Sequence, residues 1–374
     1  MKIPYSYLDR QFVDIDVYLE DIRKVVQKGD FTLGDAVSEF EERFASMCGH
    51  PYAIGVGSGT DALILSLEIS GVGPGDEVIT SPNTFVATVG AIAMTGARPV
   101  FVDNNEEYTI DVTKIEAAIT PKTKAIVPVH LTGCPADMPA IMDIARKHNL
   151  IVVEDAAQSI LASIDGKHVG AWGATAAFSL HPLKNLNVWG DGGVIVTRDK
   201  AINDKLRLYR NHGLKNRDEV EIFGRNCRFD SIQAVIGNRL IKQVHDITDQ
   251  RIKNAQIFDE ALKKLEDFII IPPRRKNIKQ VYHTYVIQAK HRDELLAYLK
   301  EKEIQVKIHY PIPMHLQKAA AHLGYKKEDF PVCERHCESI ITLPVHQHLT
   351  ADEIEHTIES IQKFYERKYS KAAA

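Results

Sequence analysis

Two residues of this chain, Lys184 and Asp155, have side chains that together suit covalent chemistry on a carbonyl compound. Asp155 follows the apolar run 150–153, which predicts a buried strand, and Lys184 lies beyond the small and apolar stretch 174–179. A lysine amine can form an imine with an aldehyde, and a carboxylate can keep a pyridine nitrogen protonated so that the ring accepts electrons. The pair therefore suggests a pyridoxal phosphate (PLP) site.

Each of the two residues also has an ordinary structural explanation. A single lysine is usually a solvated surface charge. An aspartate after an apolar run is about as well suited to cap the next helix as to contact a ligand. The PLP hypothesis therefore depends on the combination of residues and needs further positions to support it.

A glycine-rich segment, residues 55–61 with the sequence Gly-Val-Gly-Ser-Gly-Thr-Asp, lies between a predicted strand and a predicted helix. Glycines let the backbone approach a phosphate closely, and a helix N-terminus offers free N–H donors. The segment lacks the third glycine of a dinucleotide motif and the Gly-Lys-Ser/Thr of a Walker loop. It is a candidate phosphate cradle, to which Ser179 could add a hydroxyl donor, although a tight structural turn explains the glycines equally well.

Two further side chains suit a flat heteroaromatic ring. Phe85 opens a predicted helix after the predicted strand 77–80, and Gln158 comes three residues after Asp155. Ligands of α/β sheets bind in the crevice at the carboxyl ends of the strands, where Phe85 could stack on the ring and Gln158 could reach a ring substituent. A phenylalanine in the core explains Phe85 equally well.

From residue 51 onward, short apolar runs alternate with helix-length segments. The runs 52–56, 77–80, 99–102, 124–129, 150–153 and 193–197 predict strands, and the segments 61–70, 84–94 and 138–148 predict helices. Such alternation predicts a mainly parallel sheet with helices on both faces, which is the α/β class.

The pattern changes after a long helix predicted over residues 230–247. Predicted strands at 268–271, 282–289 and 305–309 and predicted helices at 292–303 and 351–369 are typical of a smaller α+β domain. We therefore predict a large α/β domain over residues 1–247 and a small α+β domain over residues 248–374. The residues before 51 are expected to form helix and loop packed on the outside of the fold.

Composition narrows the possible partners. The chain has 374 residues, enough for about two domains, and a formal net charge of -4 at pH 7. This charge does not give the basic surface of a nucleic-acid binder, and the five cysteines lack the spacing of a disulfide framework or a zinc site. Neither a signal peptide nor a membrane span is indicated, so we expect a cytoplasmic protein without metal, nucleic acid or membrane partners.

Six motifs occur in a fixed order along the chain: residues 57–63 (GSGTDAL), 155–159 (DAAQS), 178–186 (FSLHPLKNL), 190–193 (GDGG), 210–213 (RNHG) and 309–311 (HYP). This set resembles the nucleotide-sugar aminotransferases of the DegT/DnrJ/EryC1/StrS family, over nearly the whole chain from about Tyr7 to the final helix. The resemblance implies the fold type I architecture of PLP enzymes with a mainly parallel seven-stranded sheet. It also implies a homodimer whose active sites lie at the subunit interface.

By the same resemblance, Lys184 holds PLP as an imine, Asp155 pairs with the pyridine nitrogen and Gln158 lies beside the ring hydroxyl. The other positions matched to cofactor binding are Ser58, Gly59, Thr60 and Ser179 at the phosphate, Phe85 on the ring, and Asn226, which reaches the phosphate of the neighbouring subunit. The positions matched to sugar-nucleotide contacts are Arg228, His309, Tyr310 and His315.

The resemblance implies amino transfer from an amino acid, usually glutamate, to a keto-sugar nucleotide in polysaccharide or lipopolysaccharide biosynthesis. Lys184 favours amino transfer, because members that catalyse 3-dehydration carry histidine there. The segments 184–186 and 190–193 resemble enzymes acting on 3-keto sugars, whereas His181 resembles the 4-keto pattern. A 3-keto substrate is therefore favoured. The alternatives are a 4-keto substrate, a sugar without a nucleotide, and a non-catalytic PLP-binding regulatory protein.

Overall fold

The computed structural model describes residues 1–370, which contain thirteen β-strands. In chain order they are β1 (Tyr52–Val56), β2 (Glu77–Thr80), β3 (Arg98–Phe101), β4 (Thr123–Ile126), β5 (Ile151–Asp155), β6 (Ser163–Ile164), β7 (Lys167–His168), β8 (Thr175–Ser179), β9 (Gly193–Thr197), β10 (Ile269–Ile270), β11 (Ile278–Lys279), β12 (Tyr285–Ala289) and β13 (Ile340–Leu343). Seven of them form one sheet in the order β1-β9-β8-β5-β4-β2-β3. The others form two three-stranded sheets, β10-β12-β13 and β11-β6-β7.

The seven-stranded sheet is parallel apart from one strand. β9 pairs antiparallel with both of its neighbours, β1 and β8. The remaining neighbours from β8 through β5, β4 and β2 to β3 pair in parallel. All strands except β9 therefore end at the same edge of the sheet, which is where ligands bind in α/β folds. The prediction of a mainly parallel, seven-stranded α/β sheet is confirmed.

Twelve α-helices lie within residues 1–370. They are α1 (Leu8–Gln11), α2 (Asp16–Lys28), α3 (Asp35–Cys48), α4 (Gly59–Ile69), α5 (Val86–Met94), α6 (Met138–His148), α7 (Lys200–Tyr209), α8 (Ser231–Leu240), α9 (Val244–Leu262), α10 (Arg292–Glu301), α11 (Pro331–Ser339) and α12 (Ala351–Ser370). Six consecutive residues of α4 are buried, because this helix packs between the sheet and other helices. A search of this part of the chain finds no helix with the length and apolarity needed to cross a membrane.

Helix α3 belongs to the core of the large sheet. Phe40 and Phe44 on this helix are fully buried. Their ring centroids lie 5.3 Å from that of Phe229 and 5.2 Å from that of Phe178, respectively. One face of α3 therefore packs into the core, whereas the opposite face, which carries Glu39, is exposed. Its apolar residues recur at helical spacing, which gives α3 a continuous face to bury.

A second apolar core forms around β12 and β13, with α9, α10 and α12 packed against it. Ile3 is fully buried in this core and forms a β-bridge with Ile304. The start of the chain thus packs against its C-terminal part. The predicted boundary at residue 247 falls within α9, and the division into domains 1–247 and 248–374 stays a prediction.

Two elements of the C-terminal half differ from the sequence prediction. The predicted helix 230–247 is divided into α8 and α9 by a short 3₁₀ turn, Ile241–Gln243, because α8 packs into the core that contains α3 whereas α9 packs into the second core. The predicted strand 305–309 forms only one bridge, from Lys307 to Thr342. Prolines 311 and 313 follow it, and their missing N–H groups prevent a longer ladder.

A buried carboxylate, Glu154, ties the end of β5 to neighbouring loops. Its oxygens accept hydrogen bonds from the backbone N–H groups of Gly170, Trp172 and Gly173 at 2.7, 2.9 and 2.7 Å. They also accept one from Nε2 of His130 at 3.1 Å, since the other ring nitrogen of His130 accepts a backbone N–H. Burial would raise the pKa of Glu154, but these hydrogen bonds lower it below the ordinary value. The side chain is therefore an anion, and its hydrogen bonds fix the position of the end of β5.

Replacing this carboxylate tests its contribution to stability. We expect Glu154→Gln to lower the free energy of unfolding by about 3 kcal/mol, because the amide NH₂ then faces backbone donors in a buried site. Urea titration followed by circular dichroism measures the change. Glu39→Gln is the matched control, since Glu39 is an exposed partner of Arg43 on α3 and its loss should cost less than about 0.5 kcal/mol. Equal effects of the two variants would contradict the role of Glu154.

Candidate active site

The residues of the candidate active site come from the edge at which the parallel strands end. Asp155 is the last residue of β5 and Ser179 the last of β8, while residues 57–60 follow β1 directly. Lys184 lies in the loop that connects β8 with β9. The sheet topology therefore brings together three distant parts of the chain: the loop after β1, the end of β5, and the end of β8 with the loop that follows it.

The backbone of Lys184 is held by hydrogen bonds, whereas its side chain forms none with any residue that the structure describes. The carbonyl oxygen of Lys184 accepts hydrogen bonds from the hydroxyl of Tyr7 at 3.1 Å and from Nδ2 of Asn187 at 3.0 Å. Burial lowers the pKa of Lys184 to about 8, and the nearby charge of Asp155 opposes this shift. Near neutral pH the amine can therefore gain or lose a proton easily, which general acid–base chemistry requires.

Asp155 is 5% exposed and is oriented by two donors. Its Oδ2 accepts a hydrogen bond from the hydroxyl of Thr88 at 2.7 Å, and its Oδ1 accepts one from the N–H of Ala157 at 3.1 Å. The Thr88 hydroxyl lies 2.7 Å from that of Thr84. Burial raises the pKa of Asp155, while the bonds from Thr88 and Ala157 and the charge of Lys184 act to lower it.

Thr88 is a positioning residue that the sequence analysis missed. It comes one helical turn after Phe85 at the start of the same helix. The prediction that Phe85 lies at the site therefore also predicts that Thr88 lies near it. Its hydrogen bond to Asp155 connects positions 67 residues apart and could not be inferred without the fold.

The glycine-rich segment packs more tightly than side chains would allow. A Cβ atom on Gly59 would lie 2.8 Å from Cβ of Ser179, and one on Gly193 would lie 2.2 Å from the carbonyl oxygen of Ser58. These distances are far below van der Waals contact, so glycine is required at both positions. The close approach forms a cradle between the start of α4 and the end of β8.

The start of α4 offers free donors to an anion. The hydroxyl of Ser58 caps the helix by accepting the N–H of Asp61 at 3.0 Å and donates to the Asp61 carboxylate at 2.8 Å. The N–H groups of Gly59 and Thr60 form no backbone hydrogen bond with any described residue, as expected in the first helical turn. Together with the Ser179 hydroxyl, these groups fit a phosphate.

The predicted ring contacts lie around the same cleft. Phe85 is 52% exposed at the start of α5, and its ring centroid lies 5.9 Å from that of Tyr310. Oε1 of Gln158 accepts the N–H of Thr132 at 2.7 Å. Burial raises the pKa of Tyr310, whereas a hydrogen bond with Gln158 acts to lower it. The side chain of Tyr310 thus lies close to both the ring of Phe85 and the side chain of Gln158.

His309 also lies near the amine of Lys184. Burial, followed by the charge of Lys184, lowers the pKa of His309 to about 4. Its Nδ1 lies 2.9 Å from the hydroxyl of Thr342. The imidazole is therefore neutral at physiological pH.

Three predicted site residues are not brought into this group. Asn226 is exposed. Arg228 donates to Oδ1 of Asn211 at 2.9 Å. The His315 side chain has no exposed surface, and its Nε2 lies 3.1 Å from the carboxylate of Glu334. Within one chain, therefore, His315 has no surface to offer to a substrate.

The geometry fits PLP. An amine with a depressed pKa, a buried carboxylate held by donors, an aromatic ring at the cleft and a phosphate cradle are the groups that the cofactor needs. The residues that would hold it are Lys184 at the aldehyde, Asp155 at the pyridine nitrogen, and Gly59, Thr60 and Ser179 at the phosphate. In any reaction at this site, the ring of the cofactor would serve as the electron sink.

Residues 15–362 match the model of the DegT/DnrJ/EryC1/StrS aminotransferase family. The chain belongs to this family. It is 40% identical over 368 residues to a "pleiotropic regulatory protein" of Geobacillus stearothermophilus, covering 98% of this chain and 99% of the relative. It is also 40% identical over 354 residues to a UDP-N-acetyl-3-dehydro-α-D-glucosamine 3-aminotransferase of Acidithiobacillus ferrooxidans, covering 94% and 95% of the two chains.

Solved structures show the same fold. DesV of Streptomyces venezuelae, in complex with a ketimine intermediate, is 35% identical and superposes with a TM-score of 0.94 over 97% of this chain and 98% of its own. NtdA of Bacillus subtilis, with bound cofactor PMP, is 31% identical and superposes with a TM-score of 0.91 over 97% of this chain and 85% of its own. The fold type I architecture, the family and the PLP cofactor inferred from the sequence are thus confirmed, and the protein is a PLP-dependent aminotransferase.

The pKa of Lys184 predicts how fast the protein without cofactor takes up PLP. Only the neutral amine attacks an aldehyde, and half of the amine is neutral at a pH of about 8 rather than at the ordinary 10.5. We expect the loading rate, followed by stopped-flow absorbance, to rise with pH and to reach its half-maximum near pH 8. Asp155→Asn should move this midpoint to lower pH, because the charge that raises the pKa of Lys184 is lost. A midpoint near 10.5 would contradict the burial of the amine.

Thr88→Val should weaken catalysis by raising the pKa of Asp155. The variant keeps the side-chain shape but removes a hydrogen bond to the anionic carboxylate, so Asp155 stays protonated to higher pH. We expect kcat to fall roughly tenfold and the acidic limb of its pH profile to move to higher pH. Thr88→Ser keeps the hydroxyl and should restore both values. An unchanged acidic limb in Thr88→Val would show that the hydroxyl does not act through Asp155.

Proposed function

We propose that the protein transfers an amino group from glutamate to a 3-keto-sugar nucleotide. The observation that carries this proposal is the pairing of a half-buried lysine of depressed pKa with a buried, doubly hydrogen-bonded aspartate beside a phosphate cradle. This arrangement supports aminotransferase chemistry, and the sugar substrate is inferred from relatives.

The printed activities of several relatives support a sugar aminated at position 3. Besides the enzyme of Acidithiobacillus ferrooxidans, a dTDP-3-amino-3,4,6-trideoxy-α-D-glucose transaminase of Streptomyces venezuelae is 36% identical over 365 residues, covering 95% of this chain and 96% of the relative. These relatives differ in nucleotide and in sugar. They therefore support the position of amination more strongly than the identity of the base.

The residues of the site have distinct roles in this reaction. When bound, PLP supplies the aldehyde that takes up the amino group and the ring that accepts electrons. Lys184 would hold the cofactor through its side-chain nitrogen, and once that amine is free it would take the proton from the α-carbon of the donor. The anionic carboxylate of Asp155 would keep the ring nitrogen protonated. His309 and Tyr310 line the cleft where the sugar would lie.

We propose further that two copies of this chain share their active sites and that the enzyme works in the cytoplasm. The loop between α7 and α8 exposes Phe223 and Val220, which are 97% and 54% accessible. Such exposed apolar side chains are typical of surfaces that a partner covers. Asn226 lies in the same loop and is exposed, which is compatible with its predicted reach into the site of a second subunit.

The position of amination is tested by comparing 3-keto and 4-keto nucleoside diphosphate sugars. We expect kcat/KM for the 3-keto substrate to exceed that for the 4-keto substrate by about tenfold or more, which corresponds to about 1.4 kcal/mol of differential transition-state binding. Lys184→Ala should abolish turnover of both. A preference for the 4-keto sugar, or for a sugar without a nucleotide, would overturn this assignment while leaving the reaction class intact.

A regulatory role without turnover is the second candidate, because two relatives carry regulatory or sensory names. The holoenzyme mixed with glutamate distinguishes the two. Loss of the long-wavelength absorbance of the lysine-bound cofactor, with a rise of the shorter-wavelength pyridoxamine band, supports the enzyme. An unchanged spectrum supports the binding protein.

A further inference from the structure

Arg251 is a buried cation that no carboxylate of the described chain neutralises. It lies on α9 and is 2% exposed. Its Nη1 donates to the carbonyl oxygens of Tyr282 and His283 at 3.3 and 3.2 Å, and its Nε donates to Oε1 of Gln347 at 3.1 Å. Its Nη2 is buried without any hydrogen-bond partner within residues 1–370.

The other strongly buried arginine within residues 1–370 pairs with an acid, and so does the partly exposed Arg274. Arg210, which is 5% exposed, forms an ion pair with Glu41. Arg274 binds both carboxylate oxygens of Asp259 at 2.9 Å. Burying a charge without a counter-ion is costly, so the unpaired state of Arg251 needs a reason. A guanidinium with a free N–H group is suited to bind a carboxylate that the protein itself does not supply.

The space beside Arg251 suits such a group. Arg251 lines a cavity of about 60 Å³, together with Tyr5, Leu183, His283 and His309. Roughly 10–15 Å³ of such space is enough for one water, so the cavity has room for several waters or for one carboxylate. Leu183 directly precedes Lys184, and His283 also lines the pocket that contains Lys184, so the cavity lies beside the pocket of the reacting amine.

The other polar groups of the cavity supply hydrogen bonds without competing negative charge. Nδ1 of His283 is buried without a partner within residues 1–370 and can donate when it carries the ring proton. Nε2 of His346 donates to the carbonyl oxygen of Pro4 at 3.1 Å, so Nδ1 of this ring carries no proton when the ring is neutral. Burial, followed by the charges of Lys184 and Arg251, lowers the pKa of His283 well below its ordinary value. Burial also lowers the pKa of His346 to about 4, with Arg251 acting in the same direction. Both rings are therefore neutral at physiological pH, and Arg251 provides the positive charge of the cavity.

His283 lines both the cavity at Arg251 and the pocket that contains Lys184. Lys184 does not line the cavity at Arg251, and Arg251 does not line the pocket of Lys184. A carboxylate bound at Arg251 is therefore not adjacent to the reacting nitrogen. The carboxylate attached to the α-carbon of an amino donor is too close to this nitrogen to fit the position, and a carboxylate at the far end of the donor side chain fits it better.

We propose that Arg251 binds the side-chain carboxylate of the amino donor and thereby selects a dicarboxylic amino acid. This inference rests on the proposed aminotransferase function and adds the group that recognises the donor. The neutral imidazole of His283 can donate one further hydrogen bond to the carboxylate, which takes the place of water in the cavity.

Glutamate and its uncharged counterpart glutamine distinguish this role from simple packing. The first half-reaction of the holoenzyme is followed by absorbance, without any sugar. We expect the wild-type protein to prefer glutamate, and Arg251→Met to lower kcat/KM for glutamate about tenfold or more while changing that for glutamine less than about twofold. Arg251→Lys, which keeps the charge, should restore part of the preference. Equal losses for both donors, or a wild-type preference for glutamine, would overturn the proposal.

The matched control is Arg239→Met. Arg239 also stacks on a tyrosine, with its guanidinium 5.8 Å from the ring centroid of Tyr18, compared with 5.1 Å between Arg251 and Tyr7. It pairs with Asp21 and lies on α8. We expect this variant to keep the wild-type preference for glutamate. A comparable loss of preference in the control would show that packing, rather than charge recognition, causes the effect.

A binding measurement separates this proposal from the proposed function. Glutarate carries the two carboxylates of glutamate without the reacting amine. It should raise the melting temperature of the wild-type holoenzyme but not of Arg251→Met. Conversion of the cofactor by the aminated sugar nucleotide should be the same in both proteins. If glutarate stabilises both proteins equally, the carboxylate site is wrong; if the wild-type cofactor reacts with no amino compound, the proposed function is wrong.

Discussion

Two consecutive carboxylates at the end of β5 are the constraint on which the site depends. Successive residues of a strand point to opposite faces of the sheet, so Glu154 and Asp155 cannot share one environment. Glu154 binds three backbone N–H groups and His130. Because each of these bonds compensates a buried charge, the strand end has one stable position, and Asp155 is held where Thr88 and Ala157 can reach it.

Burial then acts in opposite directions on the two reacting groups. It raises the pKa of Asp155 and lowers that of Lys184, because the charged form of each is poorly solvated. The opposite charges partly offset both shifts. The same cost of burial makes Arg251 informative, since a cation that is neither solvated nor paired indicates a missing anion. Desolvation thus governs both the proton transfers and the proposed choice of donor.

Close packing supplies the remaining part of the site. Gly59 and Gly193 allow the start of α4 to approach β8 and β9 more closely than any side chain would permit. The free N–H groups of the first helical turn therefore face the end of β8, where Ser179 lies. Tyr7, from the start of the chain, holds the carbonyl oxygen of Lys184. Segments far apart in sequence are thus needed to fix a single amine.

Local patterns along the chain predicted the alternation of strands and helices, and with it the edge at which Asp155, Ser179 and the glycine-rich segment meet. These features were predictable because their signals are local: an apolar run, a turn and the first residues of a helix. The resemblance to the family added Asn226, Arg228, His309, Tyr310 and His315. The break between α8 and α9 and the packing of α3 against the core were not predictable in this way. Both depend on which core each helix packs against.

Which side chains complete the site became clear only from the packing of the folded chain. Thr88 reaches Asp155, and Arg251 has no acid beside it among residues 1–370, because of packing between segments that no local pattern connects. The family resemblance matches His315 to a substrate contact, and the fold pairs it with Glu334 in the interior. The periodicity of apolar residues indicates which side chains are buried. Which buried side chains contact one another is determined only when distant segments pack together.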